Sequence, residues 1–135
     1  MVKMKAVYLG EGKTECVHES GTALRTDIPK DIGGEGKQFS PTDLFAASVG
    51  TCMLTLMGIT AKKMGFDFKG ATAEIEKIMG EGPPRRVAKV IIRIRFSRVP
   101  PPQLQEKLEQ AALQCPVHLS VHLDVKQEVD FIWGL

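Results

Sequence analysis

Hydrophobic and polar residues alternate along much of the chain, which is the pattern of half-buried β-strands. The clearest example lies at 87–97, where Val90, Ile92 and Ile94 fall on one face and Arg93 on the other. Similar runs flank glycine-rich turns near the N-terminus and recur at the C-terminal end. We predict strands at 2–8, 14–18, 22–27, 68–79, 87–97 and 123–135, and a loop at 28–39.

A long helix is predicted to begin after Ser40. Ser40 suits the N-cap, Pro41 suits the first helical position, and Asp43 places a negative charge in the first turn. Gly65 is predicted to end the helix as its C′ residue. Residues 44–61 are uncharged on every face, so the helix should be buried all round. The same length and composition satisfy the rule for a membrane span, but the serines and threonines, the single segment and the aromatic-poor flanks argue against one.

A second helix is predicted from Pro102 to about Gln114, because Leu104 and Leu108 recur at helical spacing. No strand–helix–strand alternation is evident. We therefore predict an α+β fold in one domain, 1–135, with a mostly antiparallel sheet wrapped around a long buried central helix. One small sheet can cover only one side of such a helix, so a homodimer that buries two of them is expected.

Composition and charge exclude several classes of function. The 135 residues carry a net charge of +2, with 43% hydrophobic and 25% charged residues, which is typical of a globular protein. The chain has no long run of like charges that would indicate a nucleic-acid or membrane-surface partner. The N-terminus lacks the apolar core of a signal peptide, and the cysteine count is odd, so we expect the cytoplasm.

Two of the three cysteines have settings that suggest redox chemistry. Cys52 lies inside the apolar helix, and Cys115 directly precedes Pro116 at a possible helix start. Helix N-termini and nearby cations favour the reactive thiolate, and Cys52 would be the attacking sulfur. Cys16 lies in a short strand and is expected to be structural.

Cys115, His118 and His122 could present three metal ligands on one helical face. Since a clear fourth ligand is missing, ordinary surface residues are the preferred interpretation, and we predict no metal and no cofactor. The glycines at 33–36 lack the spacing of a phosphate-binding loop.

The order of these motifs along nearly the whole chain resembles the OsmC/organic hydroperoxide resistance family of thiol peroxidases. The motifs are a glycine-rich loop, a Ser-Pro helix with internal Cys52, a proline-initiated helix ending in Cys115-Pro, and an alternating tail. The resemblance implies an intertwined homodimer whose sheets wrap around the central helices, with two active sites built from both subunits. It also implies that Cys52 is the peroxidatic cysteine and that Cys115 resolves its sulfenic acid.

The chemistry of such an enzyme sets further expectations. Cys52 would attack an organic hydroperoxide, Cys115 would form a disulfide with the oxidised sulfur before overoxidation, and a small or protein-bound dithiol would reduce that disulfide. An alkyl hydroperoxide calls for an apolar pocket, for which the sequence offers Phe39, Phe45, Met53 and Met57.

The chain departs from the best-studied branch of the family at one position. It has Thr42 where that branch has a glutamate paired with an arginine, and Asp43 lies about 100° further around the helix. The cation that would stabilise the Cys52 thiolate could come from Arg25, Lys37 or Lys13. The missing glutamate favours an alternative function, a non-enzymatic dimer that binds an apolar ligand or senses thiol redox state, whereas the cysteine pair favours the peroxidase.

Overall fold

The computed structural model describes residues 1–134 and confirms the α+β fold class. Each predicted strand and both predicted helices are present with small shifts at their ends, and a short additional helix follows Cys115. In chain order the elements are β1 (Met4–Gly10), β2 (Lys13–His18), β3 (Ala23–Thr26), a 3₁₀ turn (Lys30–Ile32), α1 (Pro41–Lys63), β4 (Thr72–Met79), β5 (Val87–Phe96), α2 (Pro102–Leu113), α3 (Pro116–Ser120) and β6 (Lys126–Trp133).

The chain divides into two compact units, with the boundary after Leu44 in the first turn of α1. The first unit contains an antiparallel sheet in the order β1-β2-β3, as the alternating pattern predicts. That the whole chain forms one domain remains a prediction.

The loop that follows β3 is organised around Asp27, which is only 2% exposed. One carboxylate oxygen accepts the amide N–H of Ile28 at 2.8 Å, and the other accepts that of Glu35 at 3.2 Å. Lys13 Nζ lies 3.3 Å from the same carboxylate. Glycine is required at Gly34, because a Cβ there would lie 1.8 Å from the Ile28 carbonyl oxygen. These contacts close the loop that leads into α1.

The second unit contains a sheet in the order β4-β5-β6. β4 and β5 form the predicted antiparallel hairpin, whereas β6 runs parallel to β5, from the pair Lys89 and Lys126 to the pair Phe96 and Trp133. A parallel pair requires a crossover, which α2 and α3 provide. The expectation of no strand–helix–strand unit was therefore wrong, because side-chain alternation has the same period in either strand direction.

One side of α1 packs into the core of the second unit. Val49, Met53 and Met57 are completely buried, as are Val90 and Ile92 of β5. These residues belong to one hydrophobic cluster, which also includes Leu108 and Ala112 of α2. The core therefore joins the sheet to both long helices.

The opposite side of α1 is open in the single chain. Thr51, Thr55 and Ile59, spaced four residues apart, are exposed, and Ile59 retains 48% of its accessible surface. Burial on all sides is thus not seen in one subunit, and the predicted homodimer remains a prediction. By length and composition alone, α1 is long and apolar enough to cross a membrane. The core helices of soluble proteins meet the same two criteria.

Candidate functional site

Cys52 lies near the middle of α1, where its side chain is half-buried and packs against the hydrophobic core. The start of the helix is defined by a reciprocal pair of hydrogen bonds. The Asp43 amide N–H donates to Ser40 Oγ at 3.1 Å, and the Ser40 amide N–H donates to Asp43 Oδ2 at 2.9 Å. This reciprocal arrangement is a capping box. It confirms Ser40 as the predicted N-cap and gives Asp43 a second role besides the predicted negative charge in the first turn.

Cys115 lies at the junction between α2 and α3 and is completely buried. It is the N-cap of α3, with an extended backbone (φ −56°, ψ 126°), which is the conformation that a following proline favours. Its Sγ accepts the amide N–H of His118 at 3.3 Å. The thiol, rather than a serine or aspartate oxygen, therefore caps this helix.

The two sulfurs are neighbours inside the second unit. Burial raises the pKa of the Cys115 thiol, and the neighbouring Cys52 side chain raises that pKa further. Hydrogen bonds from the amides of His118 and Val117 oppose these effects, because they stabilise the thiolate. The structure therefore brings together the two cysteines selected from the sequence, and Cys115 is held as a protonated thiol.

His118 is linked to β6 by two hydrogen bonds to the side chain of Gln127. His118 Nδ1 lies 2.7 Å from Gln127 Oε1, and Gln127 Nε2 donates to the His118 carbonyl at 3.1 Å. His122 is more exposed, and its Nδ1 accepts the Asp124 amide N–H at 3.0 Å. Within residues 1–134, no group of three or more His, Cys, Asp or Glu residues is arranged to hold a metal ion.

The sequence pattern does not single out Gln127. It lies within an alternating strand, and its link to His118 depends on the parallel pairing that brings β6 beside β5. Only knowledge of that pairing could have revealed it.

The carboxylate of Asp43 and the candidate cations have partners within the first unit. The Asp43 carboxylate accepts the Ser40 amide N–H in the capping box, and Thr42 Oγ1 lies 3.1 Å from Ser40 Oγ. The three cations pair with carboxylates as follows: Lys13 with Asp27 and Glu35, both at 3.3 Å; Arg25 with Glu15 at 3.1 Å; and Lys37 with Glu35 at 3.9 Å.

The predicted apolar pocket is not formed by the expected residues. Met53 and Met57 are completely buried, so neither can line an open pocket in this chain, and that expectation was wrong. Phe45 is half-buried against the core, and Phe39 is 56% exposed in the first unit. A cleft of 660 Å³ lies along the C-terminal half of α1 and includes Leu54, Gly58, Lys62, Phe66 and Phe68 in its lining, but neither cysteine.

Cys16 is in the central strand of the first sheet. It pairs with Leu24 of β3 and Ala6 of β1, and its side chain is half-buried. The structural role expected for Cys16 from the sequence remains a prediction.

Comparison with known proteins gives a consistent result. The family model described as OsmC-like protein matches residues 34–130. A solved structure from Psychrobacter arcticus, provisionally assigned to the osmotic stress and detoxification response, is 42% identical over 97% of this chain and 96% of that one, with a TM-score of 0.90. No curated protein matches the chain.

Two more distant structures share the fold. An organic hydroperoxide resistance protein from Legionella pneumophila is 19% identical over 100% of this chain and 97% of that one, with a TM-score of 0.73. Another from Bacillus subtilis is 16% identical over 97% of each chain, with a TM-score of 0.71.

Proposed function

Because this chain belongs to the OsmC-like protein family, we propose that it is a cysteine-based thiol peroxidase that reduces organic hydroperoxides. In this proposal Cys52 is oxidised to a sulfenic acid, and Cys115 resolves it. The protein works as a homodimer in the cytoplasm, needs no metal or other cofactor, and is recycled by a small or protein-bound dithiol. Organic hydroperoxide resistance proteins from two other bacteria share its fold, which is consistent with a hydroperoxide substrate.

The observation that carries the proposal is the contact between the two thiols. Cys115 is completely buried, with Cys52 close enough to raise its pKa, whereas Cys52 is half-buried. The more accessible sulfur suits the reaction with a substrate from solution. The buried sulfur suits the resolving step, which requires only the neighbouring Cys52. Burial also shields Cys115 from oxidation by peroxide in solution.

The proposed reaction has two oxidative steps. The Cys52 thiolate attacks the terminal oxygen of ROOH, so an S–O bond forms, the O–O bond breaks, and the leaving alkoxide takes a proton to become the alcohol. Cys115, a neutral thiol at rest, loses its proton to solvent and as the thiolate attacks the sulfur of the Cys52 sulfenic acid. An S–S bond forms, and hydroxide leaves and is protonated to water. A dithiol then supplies two electrons and two protons to restore both thiols.

A second candidate function is supported by the N-terminal end of α1. Thr42 occupies the position of the glutamate in the best-studied branch of the family, and the nearby Asp43 carboxylate accepts the Ser40 amide N–H. A site with threonine at that position suits a dimeric redox sensor, whose cysteines are oxidised once and do not turn over efficiently. Binding of an apolar ligand is the related non-enzymatic alternative.

The two cysteines should respond differently to substitution. We expect Cys52→Ser to abolish the consumption of cumene hydroperoxide, because serine cannot accept the oxygen. Cys115→Ser should consume about one equivalent of hydroperoxide per subunit and then stop reacting, with Cys52 left as a sulfenic acid or an overoxidised product. Peroxide consumption with added dithiol and mass spectrometry of the non-reduced protein measure both outcomes, with Cys16→Ser as the matched control.

The wild-type protein should contain a Cys52–Cys115 disulfide after treatment with peroxide. Repeated turnover with dithiol supports the peroxidase, whereas a single oxidation without turnover supports the sensor. If Cys52 does not react in wild type or in Cys115→Ser, Cys52 is a structural thiol and both redox functions are ruled out.

A further inference from the structure

The position of the Cys115 thiol depends on a very short helix. α3 spans only Pro116–Ser120 and contains no buried residue. A helix of five residues has too few internal hydrogen bonds to be stable alone, so contacts outside it must hold it in place. The residue that supplies both a contact to the sulfur and a contact to the sheet is His118.

Hydrogen-bond chemistry determines the orientation of this contact. Gln127 Nε2 donates to the His118 carbonyl, so Gln127 Oε1 is the group that faces His118 Nδ1. An amide oxygen can only accept, and Nδ1 must therefore carry the proton. The side chain of Gln127 thus binds both the backbone and the ring of one residue, which fixes the rotation of the α3 turn relative to β6.

The same turn presents its amide to the reactive sulfur. The His118 N–H donates to Cys115 Sγ at 3.3 Å, and Cys115 in turn contacts Cys52. The fixed end of this chain of contacts is β6, which pairs with β5 along its whole length. On the other side, α1 packs closely on β4, where Gly50 meets the side chain of Ile75. Both sulfurs are therefore held relative to one sheet.

We propose that His118 and Gln127 are positioning residues for the resolving step, and that they hold the Cys115 sulfur where it can attack the oxidised Cys52. This inference rests on the proposed function, since it assigns a role within the same cysteine pair. Neither residue touches the hydroperoxide. Their effect is confined to closure of the Cys52–Cys115 bond, and the first oxidation of Cys52 proceeds without them.

The closure step can be measured without a hydroperoxide. In a Cys16→Ser background, one equivalent of Ellman's reagent converts the accessible Cys52 thiolate to a mixed disulfide and releases one thionitrobenzoate anion. The Cys115 thiolate then attacks the Cys52 sulfur, which forms the Cys52–Cys115 bond and expels a second thionitrobenzoate. The two releases are followed by absorbance as separate phases.

We expect Gln127→Leu and His118→Leu each to slow the second release about tenfold, because each removes the side-chain hydrogen bond between His118 and Gln127 that holds the α3 turn, and with it the Cys115 sulfur, in position. The first release should change less than about twofold, because Cys52 lies outside the hydrogen-bonded pair. His118→Asn keeps a donor near the position of Nδ1 and should recover most of the rate. His122→Leu, on the same segment, is the matched control and should close at the wild-type rate.

With hydroperoxide, slower resolution should expose Cys52 to overoxidation. The peroxide concentration that converts half of Cys52 to sulfinic acid should fall about tenfold in the two leucine variants, in proportion to the closure rate. Thermal unfolding of each variant identifies any that are not folded. Closure at the wild-type rate in folded His118→Leu and Gln127→Leu would overturn this inference. Absence of any peroxide reaction in a wild-type protein that closes normally would instead overturn the peroxidase proposal.

Discussion

Asp27 and Cys115 are both buried ionisable residues, and the protein handles their charge in opposite ways. Asp27 receives two backbone N–H groups and the Lys13 ammonium, so it remains a carboxylate in the interior. Cys115 receives too few donors to balance its burial, so its pKa is raised and the thiol is neutral. Hydrogen-bond donors thus decide which buried group carries a charge.

Asp27 should make the stability of the protein sensitive to acid. The Glu35 amide N–H, with smaller contributions from Lys13 and Ile28, lowers the pKa of Asp27. A lowered pKa contributes stability that is present above the unfolded-state pKa of about 3.9 and is lost as the pH falls through the folded-state value. Asp27→Asn should therefore lower the free energy of unfolding at pH 7 and weaken its decline in acid.

Urea unfolding at a series of pH values tests this prediction, with the exposed Asp130→Asn as the control. If the Asp27→Asn protein kept the same pH dependence as the wild type, Asp27 would not be the source of the acid sensitivity.

At the level of secondary structure, α1 has two glycines in contrasting surroundings. A Cβ on Gly50 would lie 2.5 Å from Cδ1 and 2.7 Å from Cγ1 of Ile75, whereas a Cβ on Gly58 would meet nothing within 4 Å. Gly50 therefore permits close packing of the helix on β4. Gly58 has no such role within the described part of the subunit.

The same substitution should have opposite effects at these two positions. We expect Gly50→Ala to destabilise the protein by about 1–2 kcal/mol, because overpacking outweighs the gain in helix propensity. Gly58→Ala should stabilise it by up to about 1 kcal/mol. Chemical denaturation measures both changes. Ile75→Val should recover part of the loss in Gly50→Ala, and a lack of coupling between these two substitutions would contradict the proposed contact.

The secondary structure could be predicted from the sequence largely because its signals are local. The capping residues at Ser40 and Asp43 define the start of α1, and the alternation in 87–97 defines β5. The parallel pairing of β6 could not be predicted, because it depends on the path of the crossover. The cysteine pair was identifiable from its setting and family resemblance, but the complete burial of Met53 and the contact of His118 with Gln127 depend on tertiary packing.

At the level of the whole molecule, the exposed side of α1 is the main argument for assembly. Thr51, Thr55 and Ile59 form an uncharged stripe at a spacing of four residues, opposite the side buried in the core. Uncharged surface along a long helix favours association with a second copy. We therefore propose that this stripe lies within the homodimer interface.

A solution mass of twice the 14.8 kDa subunit is expected at micromolar concentration. Thr55→Arg should shift the protein toward the monomer, because it would place a charge within an uncharged interface. Glu106→Arg on the exposed side of α2 is the control. Light scattering distinguishes the two states, and a monomeric wild-type protein would contradict the proposed assembly.

The separation of the two neighbouring cysteines along the chain has a thermodynamic consequence. A bond between Cys52 and Cys115 would enclose β4, β5 and α2 in one covalent ring. Such a ring restricts the unfolded chain far more than the folded one, and polymer theory assigns a loop of this length roughly 4 kcal/mol. Each cycle of the proposed peroxidase would then alternate between a more and a less stable form of the same fold, and the reduced form would be the more vulnerable to unfolding and proteolysis.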